Sequence, residues 1–257
     1  MNKKIDRLLY AIIAVLCVAI VLSAVLIPLY FTGIIGKSLD PVPAKEKTED
    51  DPVKGKEFKS VSAKSLPKGQ YADFTILYNA KQYTVKVYLL TDYAPITVQN
   101  FINNVQKGLY DNTVFYKSDV TYYKDTGEPA SAYLQGGTYV TDVDGNLVRR
   151  APSEPVKKIK GEFFANDPDS KNVISFTGGV LGMVRDEGND AAAYNSADTE
   201  FFFLPYAHSE YNGYYAAFGI TVESDDNTEL FTFARALKEA DGTYPILLQK
   251  VKVYSRS

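Results

Sequence analysis

The sequence predicts a mainly β domain with two helices, set behind one N-terminal membrane-spanning helix. Three observations carry that prediction. No charged residue occurs from Leu8 to Gly36, and about 20 apolar residues suffice to cross a bilayer. From Tyr71 onward aromatic and β-branched residues dominate, often in alternation with polar ones, the period of a half-buried strand. Beyond the anchor, two segments repeat apolar residues at helical spacing.

Taken in order, residues 1–7 carry Lys3, Lys4 and Arg7 and are expected in the cytoplasm, with residues 8–36 as a single-pass anchor and the remainder outside. The apolar run exceeds the short core of a cleaved signal peptide. Cys17, the single cysteine, lies inside the run behind Leu16 and reads as anchor packing, and one cysteine allows no disulfide within the chain. Residues 37–70 shift to Lys, Asp, Glu, Pro and Ser, with Phe58 the one aromatic. Such a segment buries too little apolar surface to offset its ordering entropy and is expected to be a flexible linker.

The domain proper is expected over 71–257. Phe74 to Tyr78 and Gln82 to Leu90 read as a hairpin turning at Asn79-Ala80, with Tyr83, Val85, Val87 and Leu89 on one face. Pro95 suits a first helical turn. Val98, Phe101, Ile102 and Val105 follow at helical spacing, and Gly108 closes the helix. Asp144-Gly145 marks a tight turn, and Val173 to Phe176 and Val180 to Val184 read as strands. A second helix is expected from Thr228 to Ala240, presenting Leu230, Phe233, Ala234 and Leu237, and Pro245 to Tyr254 as a closing strand. Many strands with two helices fit either a closed antiparallel barrel with helices over its ends or a sandwich.

Composition excludes several classes. A net charge of −3 argues against a nucleic-acid partner. His208 is the sole histidine, which rules out a multi-histidine metal site, and it reads as a surface residue. Gly36-Lys37-Ser38 mimics the end of a phosphate loop, but Phe31 stands where the first glycine belongs. Asp142 to Asn146 has its glycine misplaced for a calcium loop. Glu223, Asp225, Asp226 and Glu229 read as a solvated acidic loop, with weak calcium binding as its one ligand chemistry.

A family resemblance lies in six segments from about Phe74 to the C-terminus. They are Ala94-Pro95-Ile96-Thr97-Val98-Gln99-Asn100-Phe101, the run Gly108 to Phe115, Gln135-Gly136-Gly137, Gly178 to Met183, Thr199-Glu200-Phe201-Phe202-Phe203 and Ala217-Phe218-Gly219. In order and rough spacing they resemble the cyclophilins, the barrel-shaped peptidyl-prolyl isomerases. The resemblance favours the closed barrel over the sandwich. It also implies isomerisation of X-Pro bonds, a reaction needing neither cofactor nor metal. Rotation about a peptide bond faces a barrier of about 18–20 kcal/mol, which an enzyme lowers by gripping the proline ring and hydrogen-bonding the twisted amide.

Carried across residue by residue, the family's Phe-His-Arg motif becomes Phe115-Tyr116-Lys117, which keeps the cation and loses the planar fork. Gln135 matches the family glutamine. These two are the implied catalytic pair, with Lys124 an alternative cation because an insertion around Thr121 to Ala130 separates motif from glutamine. The implied proline groove comprises Phe202, Met183, Tyr133, Tyr211, Tyr215 and Glu200. Glu200 replaces a family glutamine and is expected to pair with Arg185, and Tyr211 and Tyr215 stand where the family has leucine and histidine. Ile159 to Phe163 is similar to a Gly-Glu-Phe segment of bacterial members, with Glu162 structural or at the groove edge. The implied partners are Pro-containing segments of exported proteins. The expected function is a membrane-anchored isomerase of reduced activity, the alternative a non-catalytic module that binds Pro-containing peptides or a protein partner at the cell surface.

Overall fold

The computed structural model describes residues 51–63, 68–151 and 155–256; the expected anchor, Cys17 and the first part of the linker lie outside them. Among the described residues no helix is long and apolar enough to cross a membrane.

The chain opens with hairpin β1 (Gly69–Tyr78) and β2 (Lys81–Leu89). Asn79 and Ala80 both take positive φ at the turn, the twist a two-residue loop needs. Helix α1 (Pro95–Gln106) follows, with proline in its first turn and Gly108 at φ +66 just beyond its end. Short β3 (Thr113–Val114) leads to β4 (Lys117–Tyr122) and β5 (Pro129–Gly136), then to a separate hairpin of β6 (Tyr139–Thr141) and β7 (Leu147–Arg149). Asp142 Oδ1 accepts from the Asp144 and Asn146 amides at the tip of that hairpin, so the carboxylate shapes the turn. The remaining elements are β8 (Val180–Met183), α2 (Ala191–Tyr194), β9 (Phe201–Leu204), β10 (Ala217–Thr221), α3 (Ser224–Glu239) and β11 (Leu247–Arg256).

Nine strands form one antiparallel sheet in the order β3-β11-β1-β2-β10-β8-β9-β5-β4. The sheet curls around a core of Phe74, Phe101, Phe201, Phe203 and Phe218, to which α3 adds Leu230, Phe233 and Leu237. Each such side chain contributes about 1.5–3 kcal/mol on burial. The curl does not close into the expected barrel, because its ends, β3 and β4, form no ladder with each other. They are consecutive in the chain, but the two residues between them bond to other segments and form no turn. The Phe115 amide goes instead to the Ile246 carbonyl at 3.0 Å and the Tyr116 amide to the Gln135 carbonyl at 3.0 Å. Lys238 of α3 blunts the β4 edge by donating to the Val120 carbonyl at 2.6 Å and pairing with Asp119 at 2.7 Å.

Four further expectations are corrected. Helix α3 starts at Ser224, so the acidic residues 223–229 form a capping box and first turns rather than a loop. Val173 to Phe176 makes only an isolated bridge, Ile174 beside Lys59. His208 is buried, its ring stacked on Tyr211 at 5.0 Å. Residues 51–63, expected within the flexible linker, pack on the domain: Val53 and Ala63 are buried and Lys59 bonds the backbone of Val173 and Ser175 at 2.8 and 2.9 Å.

Candidate functional site

Strands β4, β5, β9 and β8 lie side by side, and their register decides which residues share a face. Lys117 pairs with Gln135, Gln135 with Phe202, and Phe202 with Gly182. All side chains in that row point away from the aromatic core, because residues one step along, Leu134, Phe201 and Phe203, point into it. This register places Lys117 opposite Gln135 and leaves Lys124 in the exposed turn before β5.

Phe202 lies flat over β8 because Gly182 has no side chain; a Cβ there would collide with the ring. The ring is the floor of a second apolar cluster with Phe176, Tyr211, Tyr215 and Tyr133. Tyr211 and Tyr215 meet it edge-on, each 5.6 Å away, and Phe176 stacks at 6.0 Å. Phe202 is 0% exposed and Tyr211 only 2%. Burial pushes the Tyr211 phenol up, so it stays neutral. The structure gathers Phe202, Tyr133, Tyr211 and Tyr215 in one buried cluster, in a closed arrangement.

Met183 does not join them. Its side chain falls on the opposite face, in the core with Phe201 and Phe203, as the strand alternation demands. Glu200 lies two residues before Phe202 on the same face, at the other end of the site from Tyr211. It does not pair with Arg185, which bonds the carbonyls of Tyr214, Asp186 and Gly188 and lies over the Tyr215 ring at 4.7 Å.

Glu200 instead anchors a buried polar network. Its Oε2 accepts from the Tyr116 hydroxyl at 2.5 Å and from Gln135 Nε2 at 3.0 Å, and its Oε1 from Arg149 Nη1 at 2.9 Å. Gln135 Nε2 also meets the Tyr116 hydroxyl. Burial and the Glu200 carboxylate push the Tyr116 phenol well above its usual range, which keeps its proton available to donate. Gln135 is fully buried, and its Oε1 has no partner among the described residues. Sequence reading missed Arg149, which reaches the site from the β6–β7 hairpin. The signal available was two adjacent cations, Arg149-Arg150, after Leu147-Val148, too weak to place it.

Glu162 caps helix α1, accepting from the Ile96 and Thr97 amides at 3.0 and 2.7 Å and the Thr97 hydroxyl at 2.8 Å. Its role is structural.

The curled antiparallel sheet thus sets an aromatic floor beside an amide side chain on the adjoining strand. Residues 74–252 match the family model for cyclophilin type peptidyl-prolyl cis-trans isomerase/CLD, and the chain belongs to that family. It carries a cyclophilin-type isomerase domain. Among solved structures it is similar to a cyclophilin type peptidyl-prolyl cis-trans isomerase of Cryptosporidium parvum, at 18% identity over 73% of this chain and 99% of that one with a TM-score of 0.48. A crystal structure of the same Cryptosporidium parvum protein in the presence of the dipeptide Ala-Pro matches at 18% identity over 72% and 99%, with a TM-score of 0.46.

Proposed function

We propose that this chain is a membrane-anchored peptidyl-prolyl isomerase of low turnover that acts on X-Pro bonds of exported polypeptides outside the membrane. One observation carries the low turnover: Phe202, the ring that would grip proline, is closed over by Tyr211 and Tyr215. Proline enters only when those rings swing aside. Each aromatic contact broken costs about 0.5–1.5 kcal/mol, and each 1.36 kcal/mol slows the reaction about tenfold. Lysine in place of the guanidinium fork at position 117 acts in the same direction. The membrane placement rests on the charge-free run 8–36 and the cations before it.

Two-dimensional exchange NMR on an Ala-Pro peptide tests the reading. Cis-trans exchange that accelerates with the wild type and is lost in Phe202→Ala supports it, and exchange unchanged by the wild type overturns it. A second reading, a non-catalytic module that binds Pro-containing peptides or a protein partner, is favoured by the full burial of Gln135, whose Nε2 is already engaged by Tyr116 and Glu200. It predicts peptide shifts that saturate without faster exchange.

A further inference from the structure

The network behind the proline floor has one member that faces solvent. Gln135 is 0% exposed, and the Glu200 side chain 1%. Tyr116 is half-buried and donates a hydrogen bond to Glu200. The Arg149 side chain is 44% exposed. It is separated from the Gln135 amide by a single carboxylate, that of Glu200, and Gln135 is the register partner of Phe202. Three protein groups take up part of its fork: Nη1 bonds Glu200 at 2.9 Å, Nη2 makes a long 3.5 Å contact to Asp198, and the Tyr139 side chain accepts a further hydrogen bond. Guanidinium carries five N–H donors in a rigid plane. The Tyr139 ring, 6.0 Å from the guanidinium carbon, supports the plane from one side, and that ring in turn packs on Tyr116 at 4.5 Å. Burial works against charge at Arg149, but Glu200 and Asp198 outweigh it and raise its pKa, so it is cationic throughout the working range.

We propose that Arg149, presented by the β6–β7 hairpin, is the group that meets the backbone carbonyl of the bound peptide, with Glu200, Gln135 and Tyr116 as positioning residues behind it. This deepens the isomerase reading and rests on it. The reaction breaks no covalent bond. What it requires is a donor whose hydrogen bonds to the peptide strengthen as the amide twists, held in a preorganised direction. Glu200 fixes that direction: both its oxygens are occupied by protein donors, which locks the carboxylate and through it the guanidinium. A carboxylate in place of an amide at position 200 is what lets the site recruit a cation from a different hairpin.

The test uses the full-length chain in detergent micelles with an Ala-Pro peptide, and reads both cis-trans exchange and the Nε–H signal of Arg149. Arg149→Ala is expected to slow exchange at least tenfold, Arg149→Lys to fall between it and wild type, and Arg150→Ala to stay within twofold of wild type. Because Arg149→Ala leaves the Glu200 charge buried without its cation, the double variant Arg149→Ala with Glu200→Gln removes that defect, and it too is expected to stay slow. The Nε–H signal is expected to shift with peptide in the wild type. Full speed in the Arg149→Ala or the double variant overturns the assignment while leaving the isomerase reading in place. An inert wild type whose Arg149 signal still shifts overturns the isomerase reading and keeps Arg149 as a peptide contact. A signal that peptide does not move overturns the contact itself.

Discussion

Phe202 and Met183 stand on adjacent strands and both are buried, yet their faces give them different work. Truncating either leaves a cavity: Phe202→Ala is expected to cost about 3–5 kcal/mol and Met183→Ala about 2–5 kcal/mol of stability. Thermal melts should show both losses, whereas only Phe202→Ala should abolish the peptide-induced NMR shifts. A Met183→Ala protein that loses peptide binding while still folded would put Met183 back at the site. Tyr211 gives the complementary case. Tyr211→Leu removes the edge-on contact with Phe202 and the stacking on His208, and should lower stability by about 1–2 kcal/mol while accelerating peptide exchange several-fold. Slower exchange in that variant would mean that the tyrosine helps the reaction rather than obstructing it.

The sheet and its first helix were legible because their signals are local. Alternation predicted β1 and β2, Asn79-Ala80 predicted their turn, and Pro95 with Gly108 bracketed α1. Helix α3 was legible in its apolar stripe but not in its start, since an acidic run reads equally as solvated loop or as first turn. The difference is a tertiary contact: Asp226 accepts the Lys86 amide of β2 at 3.3 Å as well as the Glu223 amide at 3.2 Å. Burial raises the Asp226 pKa from 3.8 to about 6, against the pull of those two amides. The folded state therefore holds this proton more tightly than the unfolded chain, so the Asp226 contribution is largest below about pH 4 and is lost as pH rises toward 6. The expected loss is on the order of 1–2 kcal/mol after allowing for partial solvent screening. Asp226→Asn keeps an acceptor for the amides and should flatten this part of the stability profile, measured by denaturant melts between pH 4 and 7. An unchanged slope would remove Asp226 as its source. The Glu200 network was beyond sequence reading for the same reason, because Tyr116, Gln135, Arg149 and Glu200 converge from four separate segments.

Across the whole molecule, residues 51–63 connect the route toward the N-terminus with the groove. Lys59 bonds the backbone beside Ile174, and two residues on, the Phe176 amide donates to Asn212 Oδ1 at 2.7 Å while its carbonyl accepts from the His208 amide at 2.9 Å. Those loops carry Tyr211 and Tyr215. Val53 packs against Gly213, whose φ of +75 and lack of a side chain admit it, and Tyr214 donates to Asp51. Composition predicted a linker here because most of the segment is polar, yet a few well-placed apolar residues and two backbone bonds suffice to fasten it. The strap thus packs on the loop that carries the rings closing over Phe202. A chain beginning at residue 64 should melt several degrees below one beginning at 51, since losing the Val53 burial alone removes about 1.5–3 kcal/mol and about 1 kcal/mol moves the midpoint 2–4 °C at this domain size. The shorter chain should also accelerate peptide exchange, because Tyr211 and Tyr215 lose their backing. Val53→Asp in the full-length chain should reproduce both changes without deleting anything. Equal melting points for the two lengths would mean that the strap lies on the domain without bracing it, and a lower melting point with unchanged exchange would confine its role to stability.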